Sequence, residues 1–462
     1  MRTTIQPAIS SAANAVPRRR GISRTRQSIW LGAAATACGG VLLGAAVSGN
    51  LTATAAALGL LLATGIAVYH PALGLAVLAV TASLELTITW PVKSAGSIVV
   101  VAILLLAWTI RQGVAEGWRW RSSRLDAAVI LFIAATALSL LGAGGNLEEP
   151  LHGLLLAATA ALLFFLATQS LRTRTDVFVV LGGVLAAALL QAARIAVAVV
   201  TGSQPISEQT RAAGALTDPN QFAGLLVLCI PLVVALGVAF SRRWMVGPTA
   251  VVALVMAIAL LASLSRSGWL GLLSSVIVLA LLLPERRWRL ASIVAAVVLL
   301  FVVAGFTTPI SARLAPHAIG PWEMLASRWA VWTAALSLLI HHPLFGVGVS
   351  NFHSSVSPLP VFHAHNLFLN IAAERGLIGL AAFLLVLVRL GQVLRSARRI
   401  ARSAHERALV AGLVAVVVAF LVHSLFEVSY YDAGVLLLFW LLLGLSASLP
   451  RVLTPGVESV AP

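Results

Sequence analysis

The chain has 462 residues, of which 60% are hydrophobic and 10% are charged. Soluble domains average about 45–50% apolar and about 25% charged residues, so a soluble fold of this composition would expose apolar surface that it could not cover. The net charge is +16. The arginines stand in short clusters between apolar runs, which is typical of residues that set membrane topology or contact lipid headgroups, and we expect no nucleic-acid partner.

Apolar runs long enough to cross a hydrocarbon core recur along the chain. A spanning helix needs about 17–25 residues, and in lipid only a helix satisfies its backbone polar groups within one segment. We therefore predict an all-α, polytopic transmembrane helix bundle of about 12–14 spans with one long outer loop that contains interfacial helices. The predicted spans cover residues 29–48, 51–69, 72–88, 95–110, 125–142, 151–170, 177–200, 220–240, 247–264, 267–283, 290–306, 367–388, 408–428 and 432–449.

The distribution of basic residues orients these spans. With the N-terminus in the cytoplasm, 24 of the 31 basic residues fall in cytoplasmic segments, as the positive-inside rule requires. We predict a protein of the inner (cytoplasmic) membrane with both termini in the cytoplasm. Its predicted parts are a basic tail at 1–28, a helix bundle at 29–306, an outer loop at 307–365, C-terminal spans at 366–449 and a tail at 450–462.

The seven remaining basic residues fall on the outer side, and three arginines among them have unusual settings. Arg211 precedes the turn and helix start Asp218-Pro219-Asn220, Arg266 sits in a hairpin with almost no loop, and Arg328 lies in a predicted interfacial helix at 322–340. Each alone could be an arginine that contacts headgroups. Together they suggest an outer-facing site for a phosphate-bearing ligand, because planar guanidinium groups bind phosphate oxygens in pairs.

A polar cluster follows the outer loop. Asn366, Asn370 and Glu374 are spaced i, i+4, i+8, so they share one face of the next helix. His365 stands at the mouth of that helix, where an imidazole could take a proton from an acceptor hydroxyl. His363 and His423 are further candidates. No aspartate pair with a clear metal-ligand spacing appears in this region, so we expect no metal and no cofactor.

At this point the sequence resembles the O-antigen ligase and polymerase family. The matching stretches are Arg211-x-x-Gly214-x-x-x-Asp218-Pro219-Asn220; Ser265-Arg266-Ser267-Gly268; Arg328-x-x-x-Trp332 leading to Pro343-Leu-Phe-Gly346-Val-Gly348; and His365-Asn366-x-x-Leu369 leading to Glu374-x-Gly376-x-x-Gly379.

The resemblance implies a membrane glycosyltransferase that moves a glycan from an undecaprenyl-diphosphate carrier to an acceptor hydroxyl at the outer face of the membrane. By the same resemblance, Arg211, Arg266 and Arg328 would hold the diphosphate, and His365 would deprotonate or orient the attacking hydroxyl. Asn220, Asn366 and Glu374 would support the site, with Glu374 structural rather than catalytic. The reaction would invert the anomeric configuration without a metal. The partners would be the lipid-linked glycan donor, membrane lipids and a lipid, glycan or protein acceptor.

Other functions fit parts of the pattern. A polymerase of the same family differs from a ligase only in its acceptor, and protein O-oligosaccharyl transfer is also open. A peptidoglycan polymerase of the shape, elongation, division and sporulation type would need outer aspartates that the sequence does not present in the expected pattern. A polyprenyl-linked glycan transporter or flippase would place charges near mid-span, where these spans are nearly bare.

Overall fold

The protein is described here from a computed structural model. The structure describes residues 65–83, 95–113, 119–145, 147–203, 211–214, 218–239, 243–286, 288–289, 291, 293, 321–357, 361–429 and 432–454. These residues are helical with connecting turns and contain no strand, so the predicted all-α fold is confirmed. The α-helices are α1 Pro71–Ser83, α2 Ala95–Arg111, α3 Asp126–Leu138, α4 Glu148–Ser170, α5 Arg174–Val200, α6 Pro219–Ala239, α7 Arg243–Ala262, α8 Arg266–Leu282, α9 Pro321–His341, α10 Phe352–Ser355, α11 Leu367–Ile400, α12 Ala404–Ser424 and α13 Ala433–Val452.

Two compact units divide the chain. The smaller unit comprises residues 1–61 and 109–119, of which 109–113 and 119 are described. The larger unit comprises residues 62–108 and 120–462 and contains every site residue discussed below.

The described helices identify a multi-pass membrane protein. Six of them, α4, α5, α6, α11, α12 and α13, are long and apolar enough to cross a bilayer. Five shorter apolar helices, of 10–17 residues, accompany them. Predicted spans 29–48 and most of 51–69 and 290–306 lie outside the described residues, so the total number of spans and the predicted domain boundaries stay predictions.

Helix α6 forms the centre of the bundle. It is apolar on all sides, with 94% of its spanning window buried, which is the pattern of a helix surrounded by others. It packs against α7, α8 and α12, and small residues allow these helices to come close. A side chain at Gly412 of α12, for example, would meet Ala235 and Leu232 of α6.

Helix α11 is bent where a loop packs against its backbone. Gly376 has a positive φ of 65° with ψ of −170°, which breaks the helical hydrogen-bond ladder. The freed carbonyls of Ala373 and Glu374 accept hydrogen bonds from Val347 and Gly348, at 3.0 Å each. The loop and helix backbones touch here, so two of the matched glycine motifs form one backbone-to-backbone contact.

The segment that was predicted as the outer loop forms a second, smaller core on α11. The predicted helix at 322–340 is confirmed as α9, Pro321–His341. Val331 and Ala335 of α9 pack with Phe352, Val356, Ala364 and Ala373. Trp329 is 65% exposed whereas Trp332 is partly buried, so these two predicted interfacial tryptophans differ in their surroundings.

Candidate functional site

A cavity of about 200 Å³ lies where the N-termini of α6 and α8 meet α9 and the connection between α12 and α13. Its lining residues are Arg211, Asn220, Leu264, Arg266, Ser267, Leu270, Arg328 and Phe426. All three predicted diphosphate-binding arginines are among them, although they are far apart in sequence. None of the described lining residues is acidic, so the cavity carries an excess of positive charge.

Arg211 is held in place by the hairpin between α7 and α8. Its Nε donates a hydrogen bond to the carbonyl of Ser263 at 2.9 Å, and its Nη2 donates to Oδ1 of Asn220 at 2.8 Å. The backbone N–H of Ala212 also donates to the carbonyl of Ala262 at 3.1 Å. Asn220 therefore orients a guanidinium group that lines the cavity, and its supporting role in the site stays a prediction.

The hairpin that presents Arg266 is unusually tight. Helix α7 ends at Ala262 and α8 begins at Arg266, with Leu264 between them at a positive φ of 51°. A non-glycine residue in this region costs about 1–2 kcal/mol. Ser265 caps α8 by accepting a hydrogen bond from Gly268 N–H at 3.4 Å. The short turn and the cap place Arg266 at the first position of α8, where it lines the cavity.

Two helix N-termini open at this cavity. Asn220 and Ser267 lie in the first turns of α6 and α8, and both line it. The turn at Asp218 starts α6 as predicted, with Oδ1 of Asp218 accepting the Asn220 N–H at 2.5 Å. A helix N-terminus carries partial positive charge and favours anions. The helix ends therefore add to the field of the three arginines.

Arg328 reaches the cavity from α9. Its guanidinium carbon lies 5.9 Å from the ring centre of Phe426, within the range of a cation–π contact. Phe426 follows the end of α12, so this contact joins α9 to the connection between α12 and α13.

A buried carboxylate and two histidines lie next to Phe426. Oε1 of Glu427 is 3.3 Å from Nε2 of His363 and 3.5 Å from Nδ1 of His365. The same oxygen accepts the backbone N–H of Val428 at 3.0 Å. The Glu427 side chain is 1% exposed, whereas that of His365 is 33% exposed. Only His365 in this cluster is thus substantially open to solvent.

The electrostatics of this cluster favour an ionised Glu427. Burial raises the pKa of this carboxyl, but the adjacent imidazoles of His365 and His363 and the Val428 N–H outweigh burial and lower its pKa to about 2. Burial lowers the pKa of His363, against the opposing effect of Glu427. At neutral pH the cluster therefore contains an anionic Glu427 and a neutral His363.

The other predicted polar residues hold the segment that carries His365. Oδ1 of Asn366 caps α11 by accepting the N–H groups of Phe368 and Leu369, each at 3.0 Å, and its Nδ2 donates to the carbonyl of Leu425 at 3.1 Å. Oδ1 of Asn370 accepts the N–H of Ala364 at 2.9 Å. Both asparagines thus fix the approach to His365.

Glu374 has a structural contact away from the cavity. It pairs with Arg375 at 3.1 Å, and both side chains are buried. Arg375 also donates to Oγ1 of Thr136 at 3.2 Å and lies 5.7 Å from the ring centre of Phe132. These contacts join α11 to α3, and the structural role expected for Glu374 stays a prediction.

His423 is close to the cavity but does not line it. It lies in the last turn of α12 and is fully buried. Neither ring nitrogen has a hydrogen-bond partner among the described residues. A side chain at Gly224 of α6 would come within 3.4 Å of its Nε2.

The sequence prediction missed Glu427 and Phe426. Both fell within the predicted span 408–428, whereas α12 ends at Ser424. One signal was present, because an acidic residue inside an apolar run normally marks a functional site. Glu427 is such a residue, because it lies near the end of the predicted span 408–428. Its pairing with two histidines that are distant in sequence could not be predicted.

Helices and site together define a multi-pass membrane protein with an arginine-lined cavity beside a histidine–carboxylate cluster. Residues 251–384 match the profile of the O-antigen ligase family (Wzy_C). This part of the chain is an O-antigen ligase family domain, as the motifs predicted. It contains Arg266, Arg328 and His365, whereas Arg211 and Glu427 lie outside it. A comparison with curated proteins gave no match.

Proposed function

We propose that this protein is a glycosyltransferase that moves a glycan from an undecaprenyl-diphosphate carrier to an acceptor hydroxyl. One observation supports this most strongly: Arg211, Arg266 and Arg328, from three separate segments, line one cavity of about 200 Å³. An O-antigen ligase family domain in the same chain favours glycan transfer over other reactions of phosphate-bearing lipids.

The cavity suits a diphosphate leaving group. Three guanidinium groups offer paired hydrogen bonds to phosphate oxygens, and two helix N-termini add partial positive charge. Negative charge grows on the lipid diphosphate as its bond to the sugar breaks. Fixed donors stabilise that charge without having to reorganise. Arg211, held by Ser263 and Asn220, illustrates such a fixed donor.

His365 is the proposed base. It takes the proton of the acceptor hydroxyl while the hydroxyl oxygen bonds to the anomeric carbon, and the diphosphate leaves with the electron pair of the broken bond. Attack opposite to the leaving group inverts the configuration. The residues that stabilise charge and move the proton are all side chains of this chain, so the proposed reaction needs no metal.

The proposed site faces the outer side of the inner membrane. In the predicted topology both termini are cytoplasmic, and the outer loop at 307–365 supplies Arg328 and His365. Helix α9 of that loop packs on α11, which places the two residues near the bundle. The lipid-linked donor could then reach the cavity from the surrounding bilayer.

In vitro transfer with purified protein and a synthetic undecaprenyl-diphosphate glycan tests this proposal. We expect release of lipid diphosphate and a transferred or lengthened glycan, with loss of both in Arg266→Ala and His365→Asn. Asparagine is chosen because it tolerates the positive φ of 47° at His365 better than alanine does.

Arg194→Ala is the matched control. Arg194 is an exposed arginine of α5 that does not line the cavity, so its loss should leave transfer unchanged. Offering lipid, glycan and peptide acceptors in parallel separates ligase, polymerase and protein glycosylation. Transport of the lipid-linked glycan across vesicles, without chemical turnover, would refute the proposal in favour of a flippase.

A further inference from the structure

Glu427 and His363 are connected to His365 in a way that the proposed reaction does not by itself require. The backbone N–H of His365 donates to Nδ1 of His363 at 3.2 Å. Nε2 of the same imidazole faces Oε1 of Glu427 at 3.3 Å. The two histidine rings meet edge to face, with their centres 4.4 Å apart. His363 is therefore contacted at both nitrogens.

These contacts determine where the proton of His363 lies. A neutral imidazole has one nitrogen that donates and one that accepts. Because Nδ1 accepts the N–H of His365, Nε2 carries the hydrogen and donates it to Glu427. His363 thereby holds the backbone of His365, whose φ of 47° is strained for a residue with a side chain.

The carboxylate is also the charged group that faces Nδ1 of His365. Nδ1 of His365 is 3.5 Å from Oε1 of Glu427, and in this structure it makes no hydrogen bond with the described residues. An anionic oxygen favours a hydrogen on this nitrogen, and the lone pair is then on Nε2, the other nitrogen of the partly exposed ring. Catalytic contacts are often long before substrate binds and shorten in the complex.

From this geometry we propose that Glu427 is the positioning residue of His365, and that His363 fixes the backbone from which His365 acts. This inference rests on the proposed function. When His365 Nε2 takes the proton of the acceptor hydroxyl, the ring becomes an imidazolium, and the anionic Glu427 stabilises it through Nδ1–H. The proton ends on Nε2, and the electron pair of the broken bond leaves with the diphosphate.

The same three side chains could be read as a metal site. Their ligand atoms lie within 4.8 Å of one another, and two histidines with a glutamate are a common set for zinc. The hydrogen bond from His365 N–H argues against this. Ligation through Nε2 of His363 would move its hydrogen to Nδ1, where it would face another N–H donor. The observed geometry favours proton handling.

Two variants of Glu427 test the inference. Glu427→Gln keeps the size of the side chain but removes its charge, and its amide can donate to Nδ1 of His365 and so favour the wrong tautomer. We expect kcat to fall about 100-fold or more, within the range of general base catalysis, while the Kd for undecaprenyl diphosphate stays unchanged. Glu427→Asp keeps the charge and should recover part of the lost kcat.

A spectroscopic measurement separates positioning from simple structural support. With ¹⁵N-labelled histidine, the difference between wild-type and His365→Asn spectra assigns the ring nitrogens of His365. We expect hydrogen on Nδ1 in the wild type and on Nε2 in Glu427→Gln. A folded Glu427→Gln variant with wild-type kcat or an unchanged His365 tautomer would overturn the inference. So would a stoichiometric metal ion that is lost in this variant.

The two proposals fail differently. A wild-type protein that binds the donor but never transfers glycan refutes the proposed function and this inference with it. An active wild type that loses turnover in His365→Asn but not in Glu427→Gln refutes the inference alone.

Discussion

Replacing Arg211 by lysine separates positive charge from guanidinium geometry in the proposed diphosphate site. Lysine keeps the charge but presents three hydrogens from a single atom. It cannot reproduce the contacts to the Ser263 carbonyl and to Asn220, at 2.9 and 2.8 Å, together with a forked contact to a phosphate. The change should therefore weaken donor binding while leaving the long-range field of the cavity in place.

The expected magnitude follows from the loss of one hydrogen bond to a charged group. Such a bond contributes about 1.5–3 kcal/mol. Since about 1.4 kcal/mol is a factor of ten in an equilibrium constant, the Kd for undecaprenyl diphosphate should rise about 10- to 150-fold. A larger loss of affinity would indicate that the hairpin at Ser263 has also moved, because Arg211 donates a hydrogen bond to that hairpin.

Binding of a labelled undecaprenyl diphosphate to purified protein measures this effect directly. Arg194→Lys provides the control, since Arg194 is exposed and lies outside the cavity. We expect wild-type affinity in the control and weakened affinity in Arg211→Lys. Equal affinity of both variants for the lipid would refute the argument that the fork geometry of Arg211 recognises the diphosphate.

Three further expectations concern stability, pH and metals. Gly376→Ala should destabilise the protein by more than about 2 kcal/mol, because the positive φ of 65° is strained for alanine and the added Cβ would meet the backbone of Leu344. Gly391→Ala is the control, since Gly391 lies in open space on the same helix, and this change should not lower the melting temperature. Burial lowers the pKa of His363, so the folded protein favours the neutral imidazole. The stability that this preference contributes is present above the ordinary histidine pKa of about 6.5 and is lost as the pH falls below it. The melting temperature should therefore fall between pH 7 and pH 5, and it should fall less in His363→Gln. Transfer should persist in excess chelator, and its complete loss there would refute a metal-independent reaction.

Much of the bundle follows from hydrophobic length alone. The predicted spans 151–170, 220–240 and 432–449 correspond to α4, α6 and α13 within a few residues. Where prediction and structure differ, polar residues continue a helix beyond the apolar run. Helix α11 extends to Ile400 rather than ending at residue 388. At 1.5 Å per residue the part after the bend at Gly376, residues 377–400, measures about 36 Å, which is more than a hydrocarbon core of about 30 Å.

Some residues of the candidate site could be predicted from the sequence, whereas others could be found only from the structure. The three arginines could be proposed from sequence because an outer-side arginine without a neighbouring carboxylate is conspicuous. Glu427 could not be placed in the same way, because its partners His363 and His365 are about sixty residues earlier in the chain. Only the packing of α12 against α11 brings them together. The bend at Gly376 was likewise hidden, since a glycine in an apolar run can also be an ordinary close-packing residue.

The adjacency of Phe426 and Glu427 has a consequence for how two opposite charges can share one site. Phe426 borders the arginine-lined cavity, whereas the very next residue is paired with the histidines. A carboxylate lining that cavity would repel a diphosphate. With Phe426 on the cavity side, the next side chain, Glu427, pairs with the histidines instead, so the protein's own carboxylate stays out of the cavity that we propose for the diphosphate. Inserting or deleting one residue here would remove the separation between the Glu427 carboxylate and the cavity.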